Sequence, residues 1–187
     1  MKYFKLISIL TIATILFSGF WSGNTIKQER KERIQIRDNT LSDLYKYDKK
    51  AKEILKNSYG YAVFSNIGVN LVLFSAEGGK GVAHNNNTGK NIYMNMASGG
   101  VGFGLGIKDF RAVFLFENEK VFNNFVNKGW EANAQADAAA KAGKKGKAFG
   151  AAITVAPGIR LYKMTKNGLA LQATIQGTKY WKDSDLN

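Results

Sequence analysis

The sequence predicts an α+β fold: a single domain in which helices pack against a curved, mainly antiparallel, glycine-rich β-sheet of barrel-like form, preceded by an N-terminal signal segment. From 59 to 116, Gly and Asn separate short apolar runs, as in strands joined by tight turns. The segments 41–55 and 119–128 place apolar residues three and four positions apart, which is the spacing of an amphipathic helix. Gly also occupies every second position from Gly100 to Gly106, which is the side-chain period of a strand.

The first helix of the domain is predicted over 41–55, because Thr40 with Asp43 three residues later is typical of an N-terminal cap. The second helix is predicted over 119–128, and Gly129 is its stop signal. The apolar stripe of each helix is interpreted as a surface that packs on the sheet.

The strands follow from short apolar runs bounded by turn residues. The Asn-rich cluster 85–89 is a hairpin turn signal between two of them. The predicted strands are 61–64, 69–74, 81–84, 91–97, 101–107, 111–116, 151–156, 159–164 and 169–176.

The alternating strand around 100–107 has one face without side chains. Glycine is costly inside a strand, and its usual benefit there is the close approach of another backbone, a helix or a ligand. We interpret Gly100, Gly102, Gly104 and Gly106 as structural, with a helix lying close on the bare face. A ligand floor at the same glycines is the alternative.

The N-terminus is typical of an export signal, because Lys2 and Lys5 precede the apolar run 6–21. As a helix this run would span about 24 Å, which is less than the roughly 30 Å of a bilayer core. Cleavage is therefore favoured, and retention as a short anchor is the alternative. The predicted organisation is a signal peptide or short anchor at 1–25, a basic tether at 26–39 and one domain at 40–187.

The charge balance favours an anionic partner, because 27 basic and 14 acidic residues give a net charge of +13. Export makes nucleic acid an unexpected partner and favours a membrane or envelope component. The absence of cysteine excludes a Cys-anchored lipoprotein, disulfides and thiolate chemistry. The tether is interpreted as a weak helix or a solvated segment. A flexible spacer is favoured, and a basic arm lying on anionic headgroups is the alternative.

A set of motifs in fixed order resembles the SYLF domain family. The first, 51–68, differs from the family pattern at Ser65, where proline is usual. The other motifs are EGGKGV at 77–82, GKNIY at 89–93, GGVGFGLGIKDFR at 99–111, the Phe122, Phe125 and Gly129-Trp130 pattern, and GLALQATIQG at 168–177. The resemblance covers 40–187 and implies a lipid-binding module, with a general anionic lipid as the ligand of a bacterial envelope member.

The candidate lipid-binding residues are basic side chains on a loop and on the tether. The loop lysines have no acidic residue among them, and Phe149 follows as an apolar wedge that could enter the membrane. The candidates are Lys141, Lys144, Lys145, Lys147 and Phe149 on the loop, and Lys27, Arg30, Lys31, Arg33 and Arg37 on the tether. A solvated loop is the alternative for the lysine cluster.

Catalysis is not expected, and neither a metal nor a cofactor is predicted. His84 is the only histidine, beside the Asn-rich turn, and no cysteine or second histidine can act with it. The Gly-Lys segments 78–81 and 143–146 do not fit a phosphate-loop motif. The predicted function is therefore non-catalytic, peripheral binding of anionic lipid in the cell envelope. The alternative is an envelope interaction protein whose basic surface binds an acidic polymer or protein.

Overall fold

A computed structural model describes residues 2–66, 77–98, 110–132, 151–165, 168–169 and 177–187, with side chains from Thr25 onward except at 77 and 98. It confirms the predicted α+β class, because helices pack on one curled antiparallel sheet that forms a half-barrel. The helices are α1 (Lys2–Tyr47), α2 (Ala51–Lys56) and α3 (Glu119–Lys128). The strands are β1 (Gly60–Ser65), β2 (Glu77–Asn85), β3 (Asn91–Ser98), β4 (Arg111–Phe116), β5 (Trp130–Glu131), β6 (Ile153–Ala156), β7 (Ile159–Thr165), β8 (Gly168–Leu169) and β9 (Thr178–Lys182).

The described strands form a single sheet in the order β5-β9-β3-β2-β1-β4-β7-β6, and β8 pairs with β7. The hairpin of β2 and β3 confirms the turn predicted at 85–89. Its chain reversal depends on Asn85, whose side-chain oxygen accepts hydrogen bonds from the backbone N–H groups of Asn87 (2.9 Å) and Thr88 (3.1 Å). Gly89 completes the turn with a positive φ of 70°, a conformation that glycine adopts without strain.

The two faces of the sheet carry separate apolar cores, because successive side chains of a strand point to opposite faces. On one face, which we call the α3 face, Phe64 and Phe114 pack against Phe125 of α3. On the other face, the α1 face, Val63 and Leu115 pack in one cluster with residues of α1 and α2. The apolar stripes predicted for the helices are thus both buried against the sheet.

The third helix agrees closely with its prediction. Asn118 caps its first turn, and the side-chain oxygen accepts a hydrogen bond from Val121 N at 3.1 Å. Gly129 ends it with a positive φ of 74°. A Cβ at position 129 would also lie 2.8 Å from the carbonyl oxygen of Tyr180. The glycine therefore allows the chain to leave α3 close to β9 and to enter β5, which pairs with β9.

The helix predicted over 41–55 is in fact two helices, and its predicted start is wrong. Thr40 is buried inside α1 rather than capping it, and α1 ends at Tyr47. Asp48 explains the break, because its carboxylate accepts hydrogen bonds from the backbone N–H of Lys50 (2.9 Å) and from the hydroxyl of Tyr162 (3.3 Å). An aspartate bonded two residues ahead competes with the helical ladder, so α2 starts afresh at Ala51.

The solvated tether predicted at 26–39 is also wrong, since this segment is helical and lies on the sheet as part of α1. Arg33 is only 3% exposed. Its guanidinium donates to the carbonyl oxygen of Met94 (2.6 Å), to Asp183 (2.8 Å) and to Glu29 (3.1 Å). The charged residues that suggested solvation therefore hold the helix to the α1 face.

Several predicted features lie outside the described residues. They are the strands 69–74 and 101–107, most of the strand 169–176, and the glycines Gly100, Gly102, Gly104 and Gly106. From Thr25 onward, the described helices include none that is long and apolar enough to cross a membrane.

Candidate functional site

A cationic pocket opens where the β2–β3 turn, α3, α1 and the C-terminal residues meet. We call it the basic pocket, and its volume is about 470 Å³. Its charged lining consists of Arg30, Lys90 and Lys182. Its other lining residues are Asn85, Thr88, Asn91, Ile92, Tyr93, Phe122, Asn123, Val126, Asn127, Leu186 and Asn187. No Asp or Glu side chain is among these lining residues.

Arg30 reaches the pocket from α1 and is held from two directions. Its Nε donates to the carbonyl oxygen of Leu186 at 2.8 Å. The carbon of its guanidinium lies 5.5 Å from the ring centroid of Tyr93, which is within the range of a cation–π contact. The hydrogen bond uses Nε, which leaves the terminal nitrogens able to donate to a ligand.

Lys90 stands at the exit of the Asn-rich turn, where its carbonyl oxygen accepts a hydrogen bond from Asn85 N at 3.0 Å. The next residue, Asn91, is oriented by its neighbours. Its Oδ1 accepts from a terminal nitrogen of Arg37 at 3.0 Å and lies 2.8 Å from Nδ1 of His84. With the amide oxygen engaged on that side, the NH₂ group of Asn91 is a donor for the pocket.

Lys182 ends β9, and the residues after it fold back over β3. The backbone N–H of Asp183 donates to the carbonyl oxygen of Tyr93 at 3.0 Å. The side chain of Asn187 makes two hydrogen bonds to the backbone of Tyr93. Its Nδ2 donates to Tyr93 O (2.8 Å), and its Oδ1 accepts from Tyr93 N (3.0 Å). This segment forms one wall of the pocket, which Lys182 and Arg30 both line.

The three cations of the basic pocket make no ion pair with a described carboxylate, which sets them apart from many other basic residues. Lys80 lies 3.5 Å from both Glu29 and Glu32. Arg111 pairs with Asp43 at 2.7 Å. Lys46 and Lys179 are paired as well. The basic pocket therefore brings together three cations that make no ion pair with an Asp or Glu side chain of the described residues.

A second cavity of about 330 Å³ lies on the other side of Leu186, beside the exposed indole of Trp181. Its lining mixes the carboxylates of Glu29, Asp183 and Asp185 with Arg33 and Lys80. Ion pairs among these residues largely cancel their charge. An anion would gain much less there than in the basic pocket.

The predicted tether residues have different surroundings in the structure. Lys27 and Lys31 are exposed on α1, and Arg30 enters the basic pocket. Arg33 is buried in its ion pair, so the prediction that it contacts lipid is wrong. Arg37 is bonded to Asn91 and to Asp38, which makes it a support of the pocket wall. Lys141, Lys144, Lys145, Lys147 and Phe149 lie outside the described residues.

The sequence reasoning missed Lys90 and Lys182. Lys90 directly follows the predicted turn at 85–89, and this position could have marked it as a candidate ligand-binding residue. Lys182 lies on β9, a strand that was not predicted. Its position beside β3 follows from the pairing of Met94 with Lys182, which no local pattern reveals.

His84 lies within β2, next to the Asn-rich turn, as the predicted strand 81–84 requires. Its ring is half-buried, and its centroid lies 5.2 Å from that of Tyr61. Within the described ranges, no three His, Asp or Glu side chains are close enough together to hold a metal ion. The contacts of His84 are those of a structural side chain that orients Asn91.

Comparison with known proteins gives one informative similarity. No family model matches the sequence. The chain is 37% identical over 162 residues to the protein named Beta cell expansion factor A of Aeromonas veronii. The aligned region covers 87% of this chain and 60% of that protein, so the chain spans about three fifths of the length of this relative.

Proposed function

We propose that this protein binds anionic lipid headgroups at the surface of a membrane of the cell envelope, without catalysis, and that the basic pocket receives the headgroup. The observation that carries the proposal is the convergence of Arg30, Lys90 and Lys182 in a pocket whose lining contains no Asp or Glu side chain. The net charge of +13 and the SYLF resemblance support it. The signal-like N-terminus supports export to the envelope.

The energetics are those of a peripheral contact. Each Lys or Arg near an anionic leaflet contributes about 1 kcal/mol. Three such residues give about 3 kcal/mol, or roughly 150-fold in affinity. Exposed Lys27 and Lys31 extend the positive surface along α1 from the pocket. The lysines of 141–147 and Phe149 remain proposed as additional contacts.

Vesicle flotation tests the proposal with a charge-matched pair of variants. Lys90→Gln with Lys182→Gln removes two cations of the pocket, whereas Lys52→Gln with Lys120→Gln removes two exposed lysines elsewhere. On vesicles that contain anionic phospholipid, the pocket variant should bind roughly 30-fold more weakly, and the control variant close to the wild type. Equal binding of the wild type to neutral and anionic vesicles would contradict the proposal. So would an equal loss in the two variants.

The same variants separate lipid binding from the alternative of an envelope interaction protein. In that case the wild type would be retained by delipidated envelope fractions and would not float with pure lipid vesicles. Flotation with purified lipid alone supports the proposal, because no acidic polymer or protein partner is present.

A further inference from the structure

We infer that the basic pocket is selective for a phosphomonoester, which carries close to two negative charges, over a phosphodiester, which carries one. This inference rests on the proposed function and names the ligand class of that site. The phosphomonoester can belong to a lipid such as phosphatidic acid or to a soluble compound. Both present the same terminal phosphate group.

The charge of the lining is the first argument. Three cations line the pocket, and no Asp or Glu side chain does. A phosphodiester brings one negative charge to these cations, whereas a phosphomonoester brings about −1.5 to −2 at neutral pH. Arg30 is partly buried, so its charge is screened less by water than that of an exposed lysine. The second negative charge of a monoester therefore gains a direct counter-charge.

The arrangement of donors is the second argument. A terminal phosphate offers three unsubstituted oxygens, and a phosphodiester offers two. The lining presents donors from three separate elements: the terminal nitrogens of Arg30 on α1, the ammonium of Lys182 on β9, and Lys90 with the NH₂ group of Asn91 around the turn. Donors that converge from three elements suit a group that can accept on all of its free oxygens.

The fixed position of Arg30 is the third argument. Its Nε donates to Leu186 O at 2.8 Å, and its guanidinium carbon lies over the ring of Tyr93. The side chain is thus immobilised before a ligand arrives, so binding loses little of its rotamer entropy. A guanidinium with its terminal nitrogens available is the group best suited to two-point recognition of phosphate.

The test compares vesicles that contain phosphatidic acid with vesicles that contain phosphatidylglycerol, adjusted to the same measured surface potential. The wild type should bind the phosphatidic acid vesicles about fivefold more tightly, the factor expected for one additional charge contact. Lys90→Gln with Lys182→Gln should abolish this preference, and Lys52→Gln with Lys120→Gln should retain it. Equal binding of the wild type to both vesicles overturns the inference but leaves the proposed function standing. If the wild type binds neither kind of vesicle, both the inference and the proposed function are overturned.

A competition experiment with soluble compounds separates recognition of the phosphate group from properties of the lipid surface. Glycerol phosphate is the monoester probe, and glycerophosphoglycerol is the matched diester. Displacement of the wild type from phosphatidic acid vesicles by the monoester, and not by the diester, supports the inference. If neither displaces the protein, the vesicle preference comes from lipid packing and the inference is overturned. The same is true if the pocket variant keeps the preference.

Discussion

The ion pair between Arg33 and Asp183 joins α1 to the C-terminal segment, and its removal should be costly. Arg33 Nη2 lies 2.8 Å from Asp183 Oδ2, and the two side chains are 3% and 11% exposed. Asp183→Asn leaves the arginine buried with only Glu29, at 3.1 Å, as a counter-charge. Breaking one side of a buried pair typically costs 3–5 kcal/mol. Because Glu29 remains, we expect a loss of about 3 kcal/mol in the free energy of unfolding.

The asparagine is chosen because it keeps an oxygen for the two backbone bonds of Asp183 in the turn, although the bond that Oδ2 accepts from Asn95 (2.9 Å) is lost together with the ion pair. In the wild type, Oδ1 accepts from the backbone N–H groups of Asp185 (2.9 Å) and Leu186 (3.1 Å). The loss should therefore report the partners of Oδ2, which are Arg33 and Asn95, rather than the turn that Oδ1 supports. Urea unfolding followed by circular dichroism measures it, with the slope m as a check that the transition stays two-state.

A double-mutant cycle makes the reasoning refutable. With Arg33→Met in the same chain, Asp183→Asn should cost much less, because no buried charge is left without its partner. We expect a coupling energy of about 2 kcal/mol. Additive losses, or a loss below about 1 kcal/mol for Asp183→Asn alone, would mean that the pair contributes little to stability.

Acid should act on the same pair. Burial raises the pKa of Asp183, but the hydrogen bonds from Asn95 and Asp185 and the charge of Arg33 outweigh this effect and hold the pKa below its usual value. A carboxylate whose pKa is lower in the folded state stabilises the protein at neutral pH. This contribution is lost as the pH falls from the unfolded pKa of about 4 through the folded one. Asp183→Asn should therefore flatten the decline in stability below about pH 4.

Two further predictions concern the β2–β3 hairpin, and thermal unfolding checks both. Asn86→Ala removes side-chain hydrogen bonds to Leu55 O (2.8 Å) and Ser58 O (2.9 Å), and should cost about 1–2 kcal/mol by detaching the turn from the end of α2; an unchanged melting temperature would contradict this role. Gly81→Ala should cost about 1–3 kcal/mol, because its Cβ would overlap the ring of Phe64 and lie 2.7 Å from the carbonyl oxygen of Val63. A neutral effect would mean that both the ring and the strand shift freely.

The sequence predicts the parts of this fold that depend on local patterns. The helix at 119–128 and the strand at 111–116 were both predicted within one residue of their observed bounds. The Asn-Gly turn chemistry between β2 and β3 was sufficient to predict their hairpin. In each case the residues that define the element are neighbours in the chain.

The remainder depends on contacts between distant residues. Strand β9 is short, and three of its five residues are exposed or charged, so its own pattern is weak. Its position is set by pairing with β3, more than 80 residues earlier. The segment 26–39 is mostly charged and polar, so its composition predicts a solvated segment. Its packing on the sheet depends on the ion pair of Arg33 with Asp183, which is 150 residues away in the sequence. The basic pocket was missed for the same reason, because Arg30, Lys90 and Lys182 are brought together by topology alone.

If the basic pocket binds the proposed ligand, the C-terminal segment 183–187 connects stability to that binding. Its carbonyl at Leu186 positions Arg30 in the basic pocket, and its carboxylate at Asp183 holds Arg33 one turn further along α1. A ligand in the pocket therefore binds the form in which α1 is seated, and it stabilises that form by RT ln(1 + [L]/Kd). The linkage is reciprocal: a substitution at Asp183, which never touches the ligand, should weaken binding by the amount that it loosens the helix. Occupancy of the pocket would then control how firmly the first helix of the protein is attached to its sheet.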